Sequence, residues 1–568
     1  MKDMKTETPA SGPSYLETSR CGSSGEALLN HSVQPVELES SELVPDQKAR
    51  DNWGSSLEFL MSCIALSVGL GNVWRFPFTA LENGGGAFLI PYLIVLFVVG
   101  KPIYYMEMLL GQFSSRGIVQ VFDFAPLMRG VGYAQLLALG VLATYYASVM
   151  ALTLRYFFDS FASELPWSYC RPEWGDGCVS ASGGRPFEGQ LQLNFSSSTQ
   201  LYLQRVVLNE TESLDQGIGY PSGSLALMLG LSWLTVTLII IRGVKSSGKA
   251  AYVLALFPYV VMFILLVRAL TLPGAYEGVM YFLTPQWGKL LEPAVWYNAV
   301  PRDANIVTTL DTFTSLLSGV IIFGILGNLA HESGTKDIAS VVKAGPGLAF
   351  ISYPDAIAKF KMLPQVFSLL FFVMLFMLGV GSNVGMVSCI MTVLKDHFVN
   401  VKLWIIVVCL SSIGFLLIAV GWIYGTKRLC QDAEYMLNIK TSNYYRICWS
   451  IVTPLVMVVI LVYSLLTMRP LSYNGQEFPL SYRIFGWCVS GFIIGQLFYW
   501  AFYANCKQPK GTLKGRISHS IKPHSDWGPL DSKKLMDYQM FLRHKDENNS
   551  RLPNRGCVCI TVVDRIFG

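Results

Sequence analysis

Charge is what this 568-residue sequence most clearly lacks, since Asp, Glu, Lys and Arg together make up only 14% of it. A soluble globular protein carries about 25% of such residues, so an ordinary soluble enzyme is disfavoured. The formal net charge is only +5, from 43 basic and 38 acidic residues, and so weak a bias argues against nucleic acid as a partner. With 52% hydrophobic residues and a mean hydropathy of +0.42, the composition predicts an integral membrane protein.

Three further patterns are missing from the sequence, and each absence excludes a class of protein or segment. The 12 cysteines mostly stand singly in apolar stretches, which excludes a disulfide scaffold. Strands of about ten residues with alternating apolar and polar side chains are absent, which excludes an outer-membrane barrel. The N-terminus has no basic region followed by an apolar core, so no cleavable signal peptide is expected.

Apolar stretches long enough to cross a bilayer are abundant. A spanning helix needs about 20 mostly apolar residues. Such stretches lie at residues 55–80, 86–110, 133–158, 224–241, 251–271, 308–329, 366–394, 401–424, 445–467 and 485–504. The sequence therefore predicts an all-α membrane domain over residues 51–505 with about ten spans. The two polar tails, 1–50 and 506–568, are expected to be flexible or peripheral.

The loops predict which way the chain runs through the membrane. Residues 242–249 carry Arg242, Lys245 and Lys249 in one short loop, which is typical of the cytoplasmic side. Counting spans back from there places residues 1–54 inside and the long loop 160–222 outside. We therefore expect a multi-pass plasma-membrane protein with both tails in the cytoplasm.

The loop 160–222 carries independent signs of an outside location. Cys170 and Cys178 are near enough in sequence to form a disulfide bond in an oxidising compartment. Asn194 and Asn209 each begin a glycosylation sequon, Asn194-Phe-Ser and Asn209-Glu-Thr. A disulfide bond and glycosylation are therefore expected in this loop.

The first span contains the glycine-rich stretch Ser67-Val68-Gly69-Leu70-Gly71-Asn72. Irregular backbone inside a membrane is tolerated only where protein buries it or where it lines a cavity. The carbonyl groups freed by such a break can coordinate a cation, and the freed N–H groups can hold a carboxylate. Glycines that serve close helix packing are the alternative, but the neighbouring asparagine favours an ion or substrate site.

Two later features also place polar groups at membrane depth. Glu107 lies in the second span, and Asp311 lies in a threonine-rich stretch of the span 308–329. An intramembrane carboxylate is costly and indicates a functional site, although a structural role suits Glu107 better. Residues 379–385, Gly-Val-Gly-Ser-Asn-Val-Gly, form a second small and polar stretch. Enzyme motifs are incomplete: His331-Glu332 lacks the second histidine of a zinc protease because Thr335 stands there, so no enzyme is predicted.

These motifs together resemble one family. The run Gly69-Leu-Gly-Asn-Val-Trp-Arg-Phe-Pro77 closely resembles the first-helix signature of neurotransmitter:sodium symporters, and Tyr105-Met-Glu107 resembles their second helix. Tyr353-Pro-Asp355 is similar to their fourth extracellular loop. The resemblance runs from about residue 50 to residue 514, and the branch resembles insect sodium-dependent nutrient amino acid transporters. It implies an inverted-repeat transporter fold with a broken first helix. The implied function is a sodium-coupled, chloride-influenced symporter of neutral amino acids that works by alternating access.

The resemblance implies two sodium sites beside the broken helix. One is formed by backbone carbonyls and one hydroxyl, from Ala65, Val68, Leu378, Gly381 and Ser382. The other includes Ser67, Asn72 and Asp311. The family commonly has asparagine at the Asp311 position, so we hypothesise that the extra negative charge alters the choice of cation.

The resemblance also implies roles for substrate, chloride and gating residues. The N–H groups of Leu70 and Gly71 and the hydroxyl of Tyr146 are expected to hold the substrate carboxylate, beside Gly69 and Ser382. Gly69 stands where monoamine carriers have an aspartate, which favours whole amino acids whose own carboxylate completes the ion site. The chloride site is matched by Tyr92 and Ser315, the cytoplasmic gate by Arg50, Trp53 and Asp396, and half of the extracellular gate by Arg75.

The chain departs from the family in its number of spans. Family members have twelve, whereas here the sequence passes from Val300 through residues 301–306 into the seventh family helix, without the sixth. A second interruption lies inside 401–424, where the junction of the ninth and tenth helices is missing. Residues 277–300 are too interrupted by proline and charge to replace the sixth helix, and Trp287 and Trp296 suit an interfacial position instead.

Counting spans across the first interruption predicts that residues 308–394 are inserted upside down relative to the family. The loop 331–363 would then lie inside, and Asp311 would be displaced from Asn72. Two hypotheses follow from this conflict. The chain is either a sodium-coupled amino acid symporter, or a non-transporting splice form or incomplete gene model that at most associates with related transporters.

Overall fold

The computed structural model describes most of the membrane domain and part of the C-terminal tail. The described residues are 53–175, 177–181, 196–210, 222–299, 309–332, 334–335, 348–360, 362–396, 419–467, 472–473, 476–508, 512–524 and 527–550.

The first span is broken, as its glycines predict. Helix α1 (Ser56–Ser67) begins with Ser55 as its N-cap, whose Oγ accepts the N–H of Glu58 at 3.1 Å. The helix ends at Val68, whose backbone is extended with φ −81° and ψ 98°. A π-helical turn, Gly71–Arg75, then leads into α2 (Phe76–Glu82), and the two halves are bent by 44°.

Over the residues that the structure describes, nine further long helices follow before two tail helices. They are α3 (Gly86–Ser114), α4 (Arg129–Asp159), α5 (Gly223–Ile240), α6 (Val244–Leu270), α7 (Thr309–Glu332), α8 (Pro364–Asp396), α9 (Thr426–Leu437), α10 (Asn443–Tyr463), α11 (Leu480–Cys506), α12 (Leu513–Ile521) and α13 (Ser532–Ser550). Within the described ranges, 8 helices are long and apolar enough to cross a membrane, or up to 9 with the bent α1–α2 pair. They correspond to the predicted spans except 401–424, most of which lies outside the described residues.

Short elements connect these helices. The helical ones are Gln120–Phe124, Pro126–Met128, Pro172–Trp174, Ser198–Leu201, Tyr202–Val207, Ala275–Leu283, Trp287–Leu291, Pro293–Ala299, Leu348–Ser352, Tyr353–Ala358 and Ala419–Gly425. Strand β1 (Cys178–Val179) pairs in parallel with β2 (Ser196–Ser197), with Cys178 opposite Ser196. Strand β3 (Ser472–Tyr473) pairs antiparallel with β4 (Gln476–Glu477). Residues 277–299 form only short helices, as their proline and charge content predicts.

One end of the helix bundle carries the predicted disulfide bond, between Cys170 and Cys178. The loop that holds it packs on the C-terminal end of α4 through Trp167, which is fully buried. The Trp167 ring lies 5.2 Å from that of Tyr156 and 6.0 Å from that of Phe372, between ring centroids. We call this end of the bundle the disulfide end.

The segment 348–360 and the start of α8 also lie at the disulfide end. The Tyr156 hydroxyl donates to the carbonyl of Phe350 at 3.0 Å, and the hydroxyls of Ser160 and Ser368 are 2.7 Å apart. The prediction that the loop 331–363 lies on the opposite side is therefore wrong for its described part. Aromatic packing around Tyr156 attaches this segment to the end of α4.

Helices α6 and α7 run in the same direction, although they follow one another along the chain. Asn328, near the end of α7, donates to the carbonyl of Pro273 just after α6, at 2.9 Å. A Cβ atom on Gly327 would lie 2.4 Å from the carbonyl oxygen of Gly274, so only glycine permits this approach. Both helices therefore end at the disulfide end, and the predicted inversion of residues 308–394 is wrong.

The described part of the C-terminal tail docks at the opposite end of the bundle. Asp432 on α9 is 1% exposed and accepts hydrogen bonds from the hydroxyls of Tyr424 and Tyr538, each at 2.5 Å. Trp527 Nε1 donates to the Tyr424 hydroxyl at 2.8 Å. We call Tyr424, Asp432, Trp527 and Tyr538 the Asp432 clasp. The Asp432 clasp attaches the tail to the bundle through Trp527 and Tyr538. The tail, expected to be flexible or peripheral, is therefore peripheral and attached at these residues.

Tyr538→Phe should loosen the tail. The substitution leaves one oxygen of the buried Asp432 carboxylate without its donor, which costs about 1–3 kcal/mol. We expect faster tryptic cleavage at Lys533 and Lys534 in the solubilised full-length chain. Tyr499→Phe, on the 59% exposed Tyr499 of α11, is the matched control and should be cleaved like the wild type. Equal cleavage of both variants would contradict the clasp.

Docking of the tail should also depend on pH. Burial raises the pKa of Asp432 from 3.8 to about 7, while its two phenol donors and Arg428 act in the opposite direction. Between these two values Asp432 keeps its proton when the tail is docked and releases it when the tail is undocked. Docking is therefore strongest below about pH 4, weakens as the pH rises to about 7, and stays constant above that. Cleavage rates between about pH 5 and 8, corrected for the intrinsic rate of the protease, test this. Asp432→Asn should remove the pH dependence, and a dependence that survives it would have another origin.

Candidate functional site

The break in the first helix frees backbone carbonyl groups in the middle of the bundle. Because α1 ends at Ser67, its last carbonyls lack intrahelical partners. The Val68 N–H donates a hydrogen bond to the carbonyl of Ile64 at 2.9 Å. The next carbonyl, that of Ala65, lies against α8, since a Cβ atom on Gly381 would be 2.6 Å from its oxygen. Two of the predicted sodium ligands, Ala65 and Gly381, are thus in contact.

Glycine residues on α8 make this contact possible. A Cβ atom on Gly379 would lie 3.4 Å from Leu70 Cδ1, and one on Gly385 would lie 2.2 Å from Leu66 Cδ1. The backbone of α8 therefore approaches the break closely. Leu378 is 1% exposed and Val68 is 2% exposed, so the remaining members of this predicted site are enclosed by protein.

Gly69 brings the predicted substrate residues together. A Cβ atom on Gly69 would lie 2.9 Å from Ser382 Oγ and 3.8 Å from the Tyr146 hydroxyl. A side chain at this position would therefore require the Ser382 hydroxyl to move. Leu70 is buried beside Gly69, and Gly71 begins the π-helical turn. Helices α1, α4 and α8 each contribute to one small polar region at the break.

Asp311 is bonded directly to Asn72. The Asn72 amide donates to Asp311 Oδ1 at 2.6 Å and to the Asp311 carbonyl at 3.3 Å. The predicted displacement of Asp311 from Asn72 is therefore wrong. The physical reason is the direction of α7, which begins beside the break and runs parallel to α6.

The two predicted chloride residues lie next to this pair. The Tyr92 hydroxyl is within hydrogen-bonding reach of Thr312 and Ser315, and the Asp311 carboxylate lies nearby. Thr312 was not singled out in the sequence, although it stands next to Asp311 and three residues before Ser315. That helical spacing was the available signal.

Ser67, the third member of the second predicted sodium site, has its hydroxyl bonded within its own helix. Its hydroxyl donates to the carbonyl of Cys63 at 2.7 Å, one turn back along α1. Ser67 is 6% exposed, so the side chain is enclosed but directed to its own helix.

The gating and glycosylation residues are only partly described. Trp53 is 36% exposed and its ring lies 6.0 Å from that of Phe59, between centroids. Arg75 is exposed, and its carbonyl accepts the Thr79 hydroxyl at 2.8 Å. Asn209 is exposed, whereas Arg50, Asn194 and the side chain of Asp396 lie outside the described residues.

Comparison with known proteins identifies relatives over most of the chain. The profile of the "Sodium:neurotransmitter symporter family" matches residues 50–302, 298–417 and 403–508. "Sodium-dependent nutrient amino acid transporter 1" of Drosophila erecta is 43% identical over 606 aligned residues, covering 92% of this chain and 94% of that protein. The transporter of the same name from Drosophila persimilis is 44% identical over 610 aligned residues, covering 94% of this chain and 93% of that protein.

The match to the family is interrupted near the two predicted losses. Its segments meet at residues 298–302 and 403–417, beside the interruptions that the sequence indicates after Val300 and inside 401–424. The 606 aligned positions exceed the 568 residues of the chain, so the alignment opens gaps in this chain. The matches nevertheless cover far more than half of it, and the relatives are transporters, not enzymes. The chain therefore belongs to the sodium:neurotransmitter symporter family.

Proposed function

We propose that this chain is a sodium-coupled, chloride-influenced symporter of neutral amino acids, working by alternating access in the plasma membrane with both tails in the cytoplasm. The observation that carries the proposal is the convergence of α4, α7 and α8 on the break of the first helix. The names of the Drosophila relatives, which state sodium-dependent nutrient amino acid transport, support the same substrate class.

The first sodium site in this proposal is built from neutral oxygen atoms. Carbonyl groups of Ala65, Val68, Leu378 and Gly381 and the Ser382 hydroxyl would surround the ion. Hard cations such as sodium are bound by oxygen ligands, and carbonyls freed by a helix break are suited to this role. The close approach of Gly381 to the Ala65 carbonyl supports the assignment.

The second sodium site would couple ion and substrate through charge. Asp311 supplies one negative charge beside Asn72, and the carboxylate of an amino acid held by the Leu70 and Gly71 N–H groups would add another. Two negative charges in a region shielded from water repel strongly. A sodium ion between them offsets this repulsion, so ion and substrate each strengthen the binding of the other.

Gly69 supports whole amino acids as substrates. Gly69 has no side chain, so it provides no protein carboxylate for a substrate amine. Ser382 Oγ lies 2.9 Å from the position that a Cβ atom on Gly69 would take. The substrate must then bring its own carboxylate. Tyr146, 3.8 Å from the same position, is placed to donate a hydrogen bond to it.

Chloride would act next to the second sodium site. Tyr92 and Ser315 offer hydroxyl donors, but the Asp311 carboxylate lies beside them. An anion in that position is repelled by Asp311 unless a cation neutralises it. Chloride would therefore bind with sodium and not before it.

For alternating access, the hinge would be the bend of the first helix. The two halves of that helix meet at 44°, and the backbone leaves the helical conformation at Val68, with φ −81° and ψ 98°. Helices that move as units commonly absorb the change of angle at a few residues between them. Val68 and Gly69 are the residues in that position here.

Cells that express the chain should take up labelled neutral amino acids when sodium is present, and uptake should fall to background when choline replaces sodium. Surface biotinylation establishes that the chain reaches the plasma membrane. No uptake despite surface expression would contradict the proposal and support the alternative. In that alternative the chain is a non-transporting form that lacks the sixth helix and at most associates with related transporters. The interrupted family match favours that alternative.

Gly381→Ala should weaken the first sodium site. The new methyl group would lie 2.6 Å from the Ala65 carbonyl oxygen, so α8 must move away from the break. Overpacking of this kind costs about 1–3 kcal/mol, which corresponds to roughly 5–150-fold in sodium affinity. Gly491→Ala on α11, where nothing lies within 4 Å, is the matched control. Sodium dependence of uptake is the measurement, and equal curves for both variants would exclude the site.

Asp311→Asn should lower the affinity for cations and change the ratio of sodium to potassium currents. We expect a loss of roughly tenfold or more, since neighbouring unit charges interact by a few kcal/mol even at an effective dielectric near 20. Asp311→Glu keeps the charge and serves as the control. Transport currents recorded in sodium and in potassium test this, and unchanged currents in Asp311→Asn would remove Asp311 from the ion site.

A further inference from the structure

We propose that α12 lies on the membrane surface and binds the headgroups of anionic phospholipids. The surface concerned consists of Lys514 and His519 on the helix and Lys522 directly after it, which we call the α12 basic face. The partner is a bilayer that contains phosphatidylserine or lipids of similar charge.

The sequence around α12 is strongly one-sided in charge. Residues 507–524 contain no Asp or Glu, but they contain Lys507, Lys510, Lys514, Arg516 and Lys522. Clusters of four to eight Lys and Arg residues directly after a membrane span are typical of segments that bind anionic lipids. The net charge of the whole chain is only +5, so this segment concentrates positive charge in one place.

The position of α12 keeps it close to the lipid surface. Phe498 and Phe502, on the last turns of α11, are 70% and 71% exposed, which indicates that this part of α11 faces lipid. Residues 507–512 can span at most about 20 Å. Helix α12 packs against α11 and against Pro126–Met128, at the end of the bundle opposite the disulfide end.

One side of α12 is buried against the protein, and the other side is exposed and basic. Ser520 is fully buried, and Ile517 and Ile521 are half-buried, so this side packs on the protein. Lys514, His519 and Lys522 are exposed on the other side. Leu513 begins the helix and is 70% exposed, but its spacing from Ile517 and Ser520 places it on the side that packs on the protein.

Acidic protein groups do not neutralise this surface within the part of the chain that the structure describes. Asp123, in the adjoining segment between α3 and α4, is already paired with Arg116 and Arg129, each at 2.6 Å. The side chains of Lys514, His519 and Lys522 are exposed to the surroundings of the protein. The charges of the α12 basic face therefore match a flat array of headgroups. The cytoplasmic placement of this end rests on the proposed function, and the cytoplasmic leaflet is the one that carries anionic lipid.

Hydrogen exchange of the full-length chain in nanodiscs tests the proposal. We expect peptides that cover 512–522 to exchange more slowly in nanodiscs of phosphatidylcholine with phosphatidylserine than in phosphatidylcholine alone. The slowing should be fivefold or more, which is roughly the contribution of one basic side chain near a charged surface. Because both leaflets contain the anionic lipid, the result does not depend on orientation or on transport.

Charge-reversal variants give the matched comparison. The double variant Lys514→Glu, Lys522→Glu should lose the slowing, whereas Lys533→Glu, Lys534→Glu, with equal charge change on α13, should keep it. Unchanged exchange of peptides near Tyr538 verifies that the tail stays docked. Equal exchange in both lipid mixtures, or equal loss in both variants, would overturn the proposal. Slowing by inorganic phosphate in phosphatidylcholine nanodiscs would assign the site to a free anion instead.

Discussion

Unpaired backbone groups inside a membrane are the constraint on which this structure depends. A helix that stops in the middle of a bundle exposes carbonyl and N–H groups that lipid cannot satisfy. Here α1 stops at Ser67, and the groups around Val68 must be enclosed by neighbouring helices. Helix α8 brings Gly381 and Ser382 to this break, α4 brings Tyr146, and α7 brings Asp311. Carbonyl groups freed by a helix break are of the kind that can coordinate a cation, which is the basis of the proposed sodium site.

Close helix contacts make that enclosure possible, and glycine is the residue that permits them. Gly381 against Ala65 and Gly327 against Gly274 are both approaches in which a side chain would meet backbone oxygen. The first contact joins α8 to the break, and the second joins the ends of α6 and α7. The second contact accords with the direction of α7, which begins where Asp311 reaches Asn72.

The two ends of the bundle are held by different chemistry. At the disulfide end, aromatic rings around Tyr156 and Trp167 join the loop 160–222 to the segment 348–360. At the other end, the buried carboxylate of Asp432 is satisfied by two phenols, and the C-terminal tail supplies one of them. A buried carboxylate thus holds the tail side, while a disulfide bond and aromatic contacts secure the disulfide side.

Local patterns in the sequence determined the composition class, the spans now seen as helices, the break at Val68, the Cys170–Cys178 pair and the list of polar residues near the break, since each depends on neighbouring residues. The direction of α7 could not be obtained in the same way. Counting spans treats every stretch as a full crossing, and that assumption failed between α6 and α7, which run in the same direction. Tertiary structure decided the pairing of Asp311 with Asn72, the location of residues 348–360 and the docking of the tail. These three features depend on which groups, distant in sequence, can form hydrogen bonds with one another and pack without a cavity. The periodicity of one segment does not indicate which other segment it will contact.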